Sequence, residues 1–182
     1  MSGNVALAGM MGVGKTTVGS ALAARLGRRL VDTDEEIVRW VGVDIPTIFA
    51  ERGEPAFRDL ERQVVRRLAT LEDLVLSLGG GVVLSDDNVA DLSLTGVIIQ
   101  LTVPIEMLLG RLSGTADRPL LEGDLEDRLE AVVAERAERY ASVADVTIDA
   151  SGPPETVVAD ILGWLRERPT VLTPSEFEAI LP

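Results

Sequence analysis

Short apolar runs alternate along this chain with longer stretches in which apolar residues recur every three or four positions. The runs "NVALAG" (4–9), "RLVDTD" (29–34), "DLVLSL" (73–78), "GVIIQLTV" (96–103) and "DVTIDA" (145–150) predict buried strands. The segments 15–26, 55–70, 104–112, 124–140 and 155–167 carry the helical spacing. Strands alternating with helices predict an α/β fold, a parallel sheet with helices on both faces. Ligands of such sheets gather at the carboxyl ends of the strands.

Two stretches interrupt the alternation. Residues 34–62 predict two or three short helices, broken by Gly42, Pro46, Gly53 and Pro55. Residues 113–124, "SGTADRPLLEGD", are polar and rich in turn formers, and read as a mobile flap. The tail from Pro169 is expected to finish in a short helix capped by Ser175. Trp40 and Trp164 read as packing residues on helix faces.

Length and composition narrow the chemistry. The 182 residues favour one domain with a sizeable core. The chain has no cysteine and no histidine, so thiol nucleophiles, Cys/His zinc sites and a histidine base are excluded. A catalytic base is then a carboxylate. The net charge of −13 argues against nucleic acid or an anionic membrane as partner, and an anionic ligand would need a local cluster of cations. With no signal-like core and no apolar run of membrane-spanning length, the expected location is cytoplasmic.

Of 17 basic residues only Lys15 is a lysine, and it stands in "GMMGVGKTT" (9–17), directly after the first predicted strand. Gly9-x-x-x-x-Gly14-Lys15-Thr16 matches the phosphate-loop pattern in its strand–loop–helix setting. Glycines let backbone N–H groups converge on phosphate oxygens, and the helix that follows aims its positive end at them. The lysine supplies a compact ammonium that a broad guanidinium cannot imitate, and the threonine supplies a hydroxyl to Mg2+. A guanine-reading N-K-x-D motif would need a second lysine and is excluded.

Further motifs follow the loop. "VDTDEEI" (31–37) sets Asp32 and Asp34 two apart at a strand end, where extended backbone would point both carboxylates into one crevice; Asp34 can equally be the N-cap of the next helix. In "FRDLERQ" (57–63), Arg58 and Glu61 are neighbours on one helix face, either a solvated pair or a guanidinium held ready for a carboxylate. Gly79, Gly80 and Gly81 follow the third strand and admit close approach by a ligand, and Ser77 before them can order metal-bound water. Arg118 lies in the flap, and Arg136 and Tyr140 are four apart near a helix end. Surface charge is the competing reading for the arginines.

Taken together and in this order, the phosphate loop, Asp-x-Asp, Phe-Arg-x-x-Glu, Gly-Gly-Gly, Arg-Pro-Leu-Leu (118–121) and Glu-Arg-x-x-x-Tyr (135–140) resemble the shikimate kinase family over residues 4 to about 165. The resemblance implies a P-loop fold of the nucleoside-monophosphate-kinase type, with a five-stranded parallel sheet of order 2-3-1-4-5. It implies transfer of the ATP γ-phosphoryl group to the 3-hydroxyl of shikimate, a step towards chorismate and the aromatic amino acids. Residues 1–182 would form a single kinase domain, with 34–62 as substrate-binding subregion, 113–124 as lid and 169–182 as a tail of no assigned role.

Carried over by position, Gly12, Val13, Gly14, Lys15, Thr16 and Thr17 would hold the ATP phosphates, Arg111 would stack on adenine, and Arg118 would close onto phosphate. Thr16 and Asp32 would serve Mg2+. Asp34 would hold the shikimate hydroxyls and act as the base, making Lys15, Asp34 and Arg118 the catalytic set. Arg58 and Arg136 would bind the shikimate carboxylate, with Gly79 to Gly81 against the ring. After the last strand the chain reads "DASGPPET", where members of the family often carry a basic residue. A monomer is expected. The competing functions are a kinase of a close analogue such as aminoshikimate or gluconate, and a nucleotide-binding regulator without turnover.

Overall fold

The computed structural model describes residues 2–112 and 125–180, so Arg118 and the expected lid 113–124 lie outside the described residues. Strand β1 (Asn4–Ala8) is buried along its whole length and pairs in parallel with β3 (Leu74–Ser77) on one side and β4 (Gly96–Thr102) on the other. β2 (Arg29–Asp32) adds to β3, and β5 (Val146–Asp149) adds to β4. The order is therefore β2-β3-β1-β4-β5, as expected.

Period-two alternation in the strands sorts the apolar residues into two cores. Val5, Leu7, Ile99 and Leu101 face α1 (Lys15–Leu26) and α7 (Pro154–Leu165), which contribute Val18, Leu22, Ile161 and Leu165. Ala6, Ala8, Leu76 and Ile98 face the other way, against Ile37 of α2 (Thr33–Val41) and Phe57, Val64, Val65 and Leu68 of α3 (Ile45–Ala69). α5 (Ile105–Leu112) and α6 (Leu125–Val143) follow β4. A helix absent from the sequence reading, α4 (Asp86–Thr95), begins at Ser85, whose hydroxyl accepts from the Asn88 N–H. It buries only Asn88 and Leu92, so its sequence has little apolar periodicity.

The 34–62 stretch is helical in three pieces, but its breakers divide into two kinds. Gly42 ends α2 at φ 80°, and Gly53 interrupts α3 at φ 76°. Pro46 and Pro55 instead stand in first turns, just after the Asp44 cap and just after Gly53, where a missing N–H leaves no bond unmade. Trp40 is half exposed and not a packing residue, whereas Trp164 carries the Arg168 guanidinium at 3.6 Å from its ring centroid.

Thr173, not Ser175, caps the C-terminal helix α8 (Pro174–Ala179), through a capping box with Glu176. Glu176 also meets Arg28, which is buried and donates to the Gly3 and Val171 carbonyls at 2.6 and 2.7 Å. Ile180 and Phe177 join the α1/α7 core, so the tail packs on its own chain. No described helix is long and apolar enough to cross a membrane.

Candidate active site

The functional motifs meet at the carboxyl ends of β1, β2 and β3. The β1–α1 loop turns through Gly12 and Gly14 at φ 79° and 107°, with Val13 buried beneath it. The Lys15 ammonium donates to the carbonyls of Gly9 at 2.7 Å and Met10 at 3.1 Å, which braces the loop around it. α1 starts at Lys15 with no side-chain cap, and no acidic residue lies in its first turn. Its positive end is therefore open toward the loop, the geometry of an anion cradle.

Asp32 ends β2 and divides its two carboxylate oxygens. Oδ1 accepts from the backbone of Asp34 and Glu35, making Asp32, not Asp34, the N-cap of α2. Oδ2 accepts from Thr16 Oγ1 at 3.1 Å and Ser77 Oγ at 2.8 Å. The expectation that extended backbone aligns Asp32 with Asp34 fails, because Asp34 is already in the first helical turn. The two carboxylates still line one cavity, of about 550 Å3, together with Lys15, Thr16, Ser77, Gly79 and Gly80.

Across this cavity the triple glycine is hemmed in by side chains. A Cβ added at Gly79 would overlap Asp34 Oδ1, and one at Gly81 would overlap the Arg58 guanidinium. The Gly79 N–H donates to Thr33 Oγ1 at 2.7 Å, clipping the loop to α2. Tyr140 is buried and its hydroxyl donates to the Gly80 carbonyl at 2.6 Å; burial pushes its phenol up, so it stays a neutral donor. Arg136 Nη1 reaches the same carbonyl at 3.4 Å, while its Nε is buried without a hydrogen-bond partner. Arg136 thus stands behind Gly80, which lines the cavity, and a guanidinium N–H without a partner is a donor that a carboxylate can satisfy.

Arg58 sits between two carboxylates. Nη1 donates to both oxygens of Glu61 at 3.1 Å, and Nε and Nη2 donate to Glu54 Oε1 at 3.2 and 3.0 Å. Glu61 is buried, and burial pushes its carboxyl up against the pull of Arg58. The i, i+3 pair read from sequence is present; Glu54 and Thr33 are additions that sequence reasoning missed. An acidic residue four before Arg58 was a visible signal for the first, and nothing local marked the second.

On the outer side of the phosphate loop, Arg111 donates to the carbonyls of Gly12 at 3.1 Å and Val13 at 2.8 Å. It lines a cavity of about 230 Å3 with Gly14, Thr17, Gly152 and Pro154. The wall contributed after β5 consists of Ala150, Gly152 and Pro154 and is uncharged. Lys15, Thr16, Asp32, Asp34, Gly79 and Gly80 thus share one cleft, Arg58 and Arg136 stand behind its glycines, and Thr17 and Arg111 flank the loop.

Known proteins resemble this chain in sequence and fold. The family model described as shikimate kinase matches residues 11–166. A shikimate kinase of Geobacter metallireducens is 46% identical over 167 residues, covering 91% of this chain and 93% of that protein. One of Salinibacter ruber is 45% identical, covering 87% and 82%. Among solved structures, the shikimate kinase from Acinetobacter baumannii in complex with shikimate superposes with a TM-score of 0.86 at 36% identity, covering 92% of this chain and 94% of the other. The shikimate kinase from Aquifex aeolicus gives 0.81 at 34% identity, covering 92% and 99%. The chain belongs to the shikimate kinase family, ATP-dependent phosphotransferases that act on an alcohol group.

Proposed function

We propose that this chain transfers the γ-phosphoryl group of ATP to the 3-hydroxyl of shikimate, giving shikimate 3-phosphate and ADP. One observation supports the residue assignment: the anion cradle at Lys15 opens into the same cavity as Asp34, Gly79 and Gly80, and Arg58 stands behind the next glycine, Gly81. Gly12 to Thr17 hold the phosphates, and Lys15 neutralises charge on the transferring group. Arg111 covers adenine against Gly152 and Pro154. Asp34 accepts the hydroxyl proton, and Arg58 and Arg136 take the substrate carboxylate, the latter through its unmet Nε.

Thr16, Asp32 and Ser77 form an all-oxygen set that suits Mg2+. Among the described residues no cluster of three or more acidic side chains can hold a metal alone, which fits an ion shared with phosphates. When bound, Mg2+ supplies charge neutralisation at the phosphates, while Thr16 and Asp32 orient its surroundings. Arg118 and the lid 113–124 complete the reading as the closing element. With the tail folded on its own chain and a charge of −13, the reading is a cytoplasmic monomer acting on small molecules rather than on nucleic acid or membrane.

A coupled assay of ADP release with shikimate, aminoshikimate and gluconate tests the proposal. Shikimate should give the highest kcat/KM. A higher value for another acid reassigns the substrate, and no turnover with any of them leaves a nucleotide-binding regulator.

A further inference from the structure

This inference rests on the reading of Arg58 as the carboxylate-binding arginine. The Nε/Nη2 edge of that guanidinium, the edge that pairs best with a carboxylate, is taken by Glu54 Oε1 at 3.2 and 3.0 Å. The opposite nitrogen, Nη1, is held by Glu61. The two carboxylates differ in one decisive respect. The Glu61 side chain is 3% exposed, whereas that of Glu54 is 63% exposed. Glu61 cannot leave without stranding a buried charge, while Glu54 can swing into water at little cost.

The backbone at this point also permits movement. Gly53 breaks α3 at φ 76° and ψ 171°, and Glu54 is the first residue after the break, one turn before Arg58. Adding a substrate carboxylate while Glu54 stays would set three anions around one guanidinium, beside Asp34, which already faces Gly79.

We propose that Glu54 is a displaceable stand-in for the substrate carboxylate: it holds Arg58 oriented until the acid binds and is then expelled. Glu61 is the permanent support and Glu54 the temporary one. The contact is a built-in competitor, so it lowers apparent affinity for the acid. Exposed ion pairs of this kind are weak, which sets the effect at about two- to fivefold.

Calorimetric titration of shikimate into the wild type, Glu54→Gln, Glu54→Ala and Arg58→Ala tests this. Both Glu54 variants should bind shikimate two- to fivefold more tightly. Unchanged or weaker binding in the Glu54 variants overturns the proposal and makes Glu54 either a bystander or a support like Glu61. The Arg58→Ala arm separates the two levels. Undiminished affinity there removes the underlying reading of Arg58; lost affinity there, without tightening in the Glu54 variants, removes only the stand-in.

Discussion

At the scale of single residues, Arg58 and Lys15 are expected to fail in different ways. Arg58 would touch a part of the substrate that does not react, so its contact is equally strong before and during transfer. Arg58→Ala should raise the shikimate KM by roughly 10- to 100-fold, the worth of a charge-assisted hydrogen bond, with a smaller loss of kcat. Lys15→Ala should instead lower kcat by about 10²- to 10³-fold, as removal of a donor aimed at developing charge does. Steady-state kinetics against both substrates distinguishes the two patterns. Gly79→Ala tests the wall itself: the new methyl overlaps Asp34 Oδ1, so the carboxylate must turn away. Turnover should fall with it while nucleotide affinity, measured by direct titration, is kept. These residues were legible in sequence because each announces itself locally. A lone lysine in an arginine-rich chain, a triple glycine and an Arg-x-x-Glu pair need no long-range information. Thr33 was not legible, since its bond to the Gly79 N–H joins residues 46 apart, and the capping role of Asp32 depended on where the helix begins.

At the scale of elements, the tail, to which the sequence assigned no role, is tied to its own chain by a buried ion pair. α8 is short and exposes much of its surface, yet Glu176 closes its capping box and receives the buried Arg28 at 2.6 and 2.9 Å. Burial alone would push the Glu176 carboxyl up; hydrogen bonds from Arg28 and the Thr173 N–H outweigh it and hold the group below the usual glutamate range. A carboxyl depressed in the folded state contributes stability above its ordinary value of about 4.5 and loses it as pH falls through the lower folded value. Glu176→Gln should therefore cost about 3 kcal/mol at neutral pH, since a buried guanidinium then faces a neutral amide in place of its counter-charge. That corresponds to a fall in Tm of roughly 6–12 °C for a chain of this size. The deficit should narrow in melts carried out progressively below pH 4.5; a deficit independent of pH would assign it to lost packing. Sequence spacing gave the tail a helix but the wrong cap, because Thr173 and Ser175 are chemically equivalent candidates until Glu176 fixes the register. α4 escaped for the opposite reason: its Ser85 cap was readable, but a helix that lies on the core through Leu92 and the half-buried Val89 shows too short an apolar stripe. The inner strands β1, β3 and β4 were readable because both faces of the sheet are covered there, so they had to be apolar.

For the whole molecule, the cations of the cleft work against a net charge of −13. At 0.1 M salt that distant field is screened beyond about 10 Å, whereas Lys15 and the α1 N-terminus act at contact. Affinity for a triphosphate should thus depend on the loop far more than on overall charge, and it should appear as stability of the entire fold. The phosphate loop joins β1, the centre of the sheet, to α1, which packs into the core shared with α7 and the C-terminal tail. Unfolding destroys that loop, so nucleotide bound to it must leave as the chain unfolds. At a concentration 100 times its Kd, a ligand specific for the folded state adds about 2.7 kcal/mol. A non-hydrolysable ATP analogue with Mg2+ should raise Tm by roughly 5–10 °C on that basis. Removing Mg2+ with a chelator should reduce the shift, because Thr16 and Asp32 would then face the phosphates without an intervening cation. Lys15→Ala should reduce it further, while Arg58→Ala should leave it intact, since Arg58 packs against Gly81 and does not line the cavity that holds Lys15 and Thr16. A nucleotide shift that survives Lys15→Ala would mean that the triphosphate is held elsewhere on the fold.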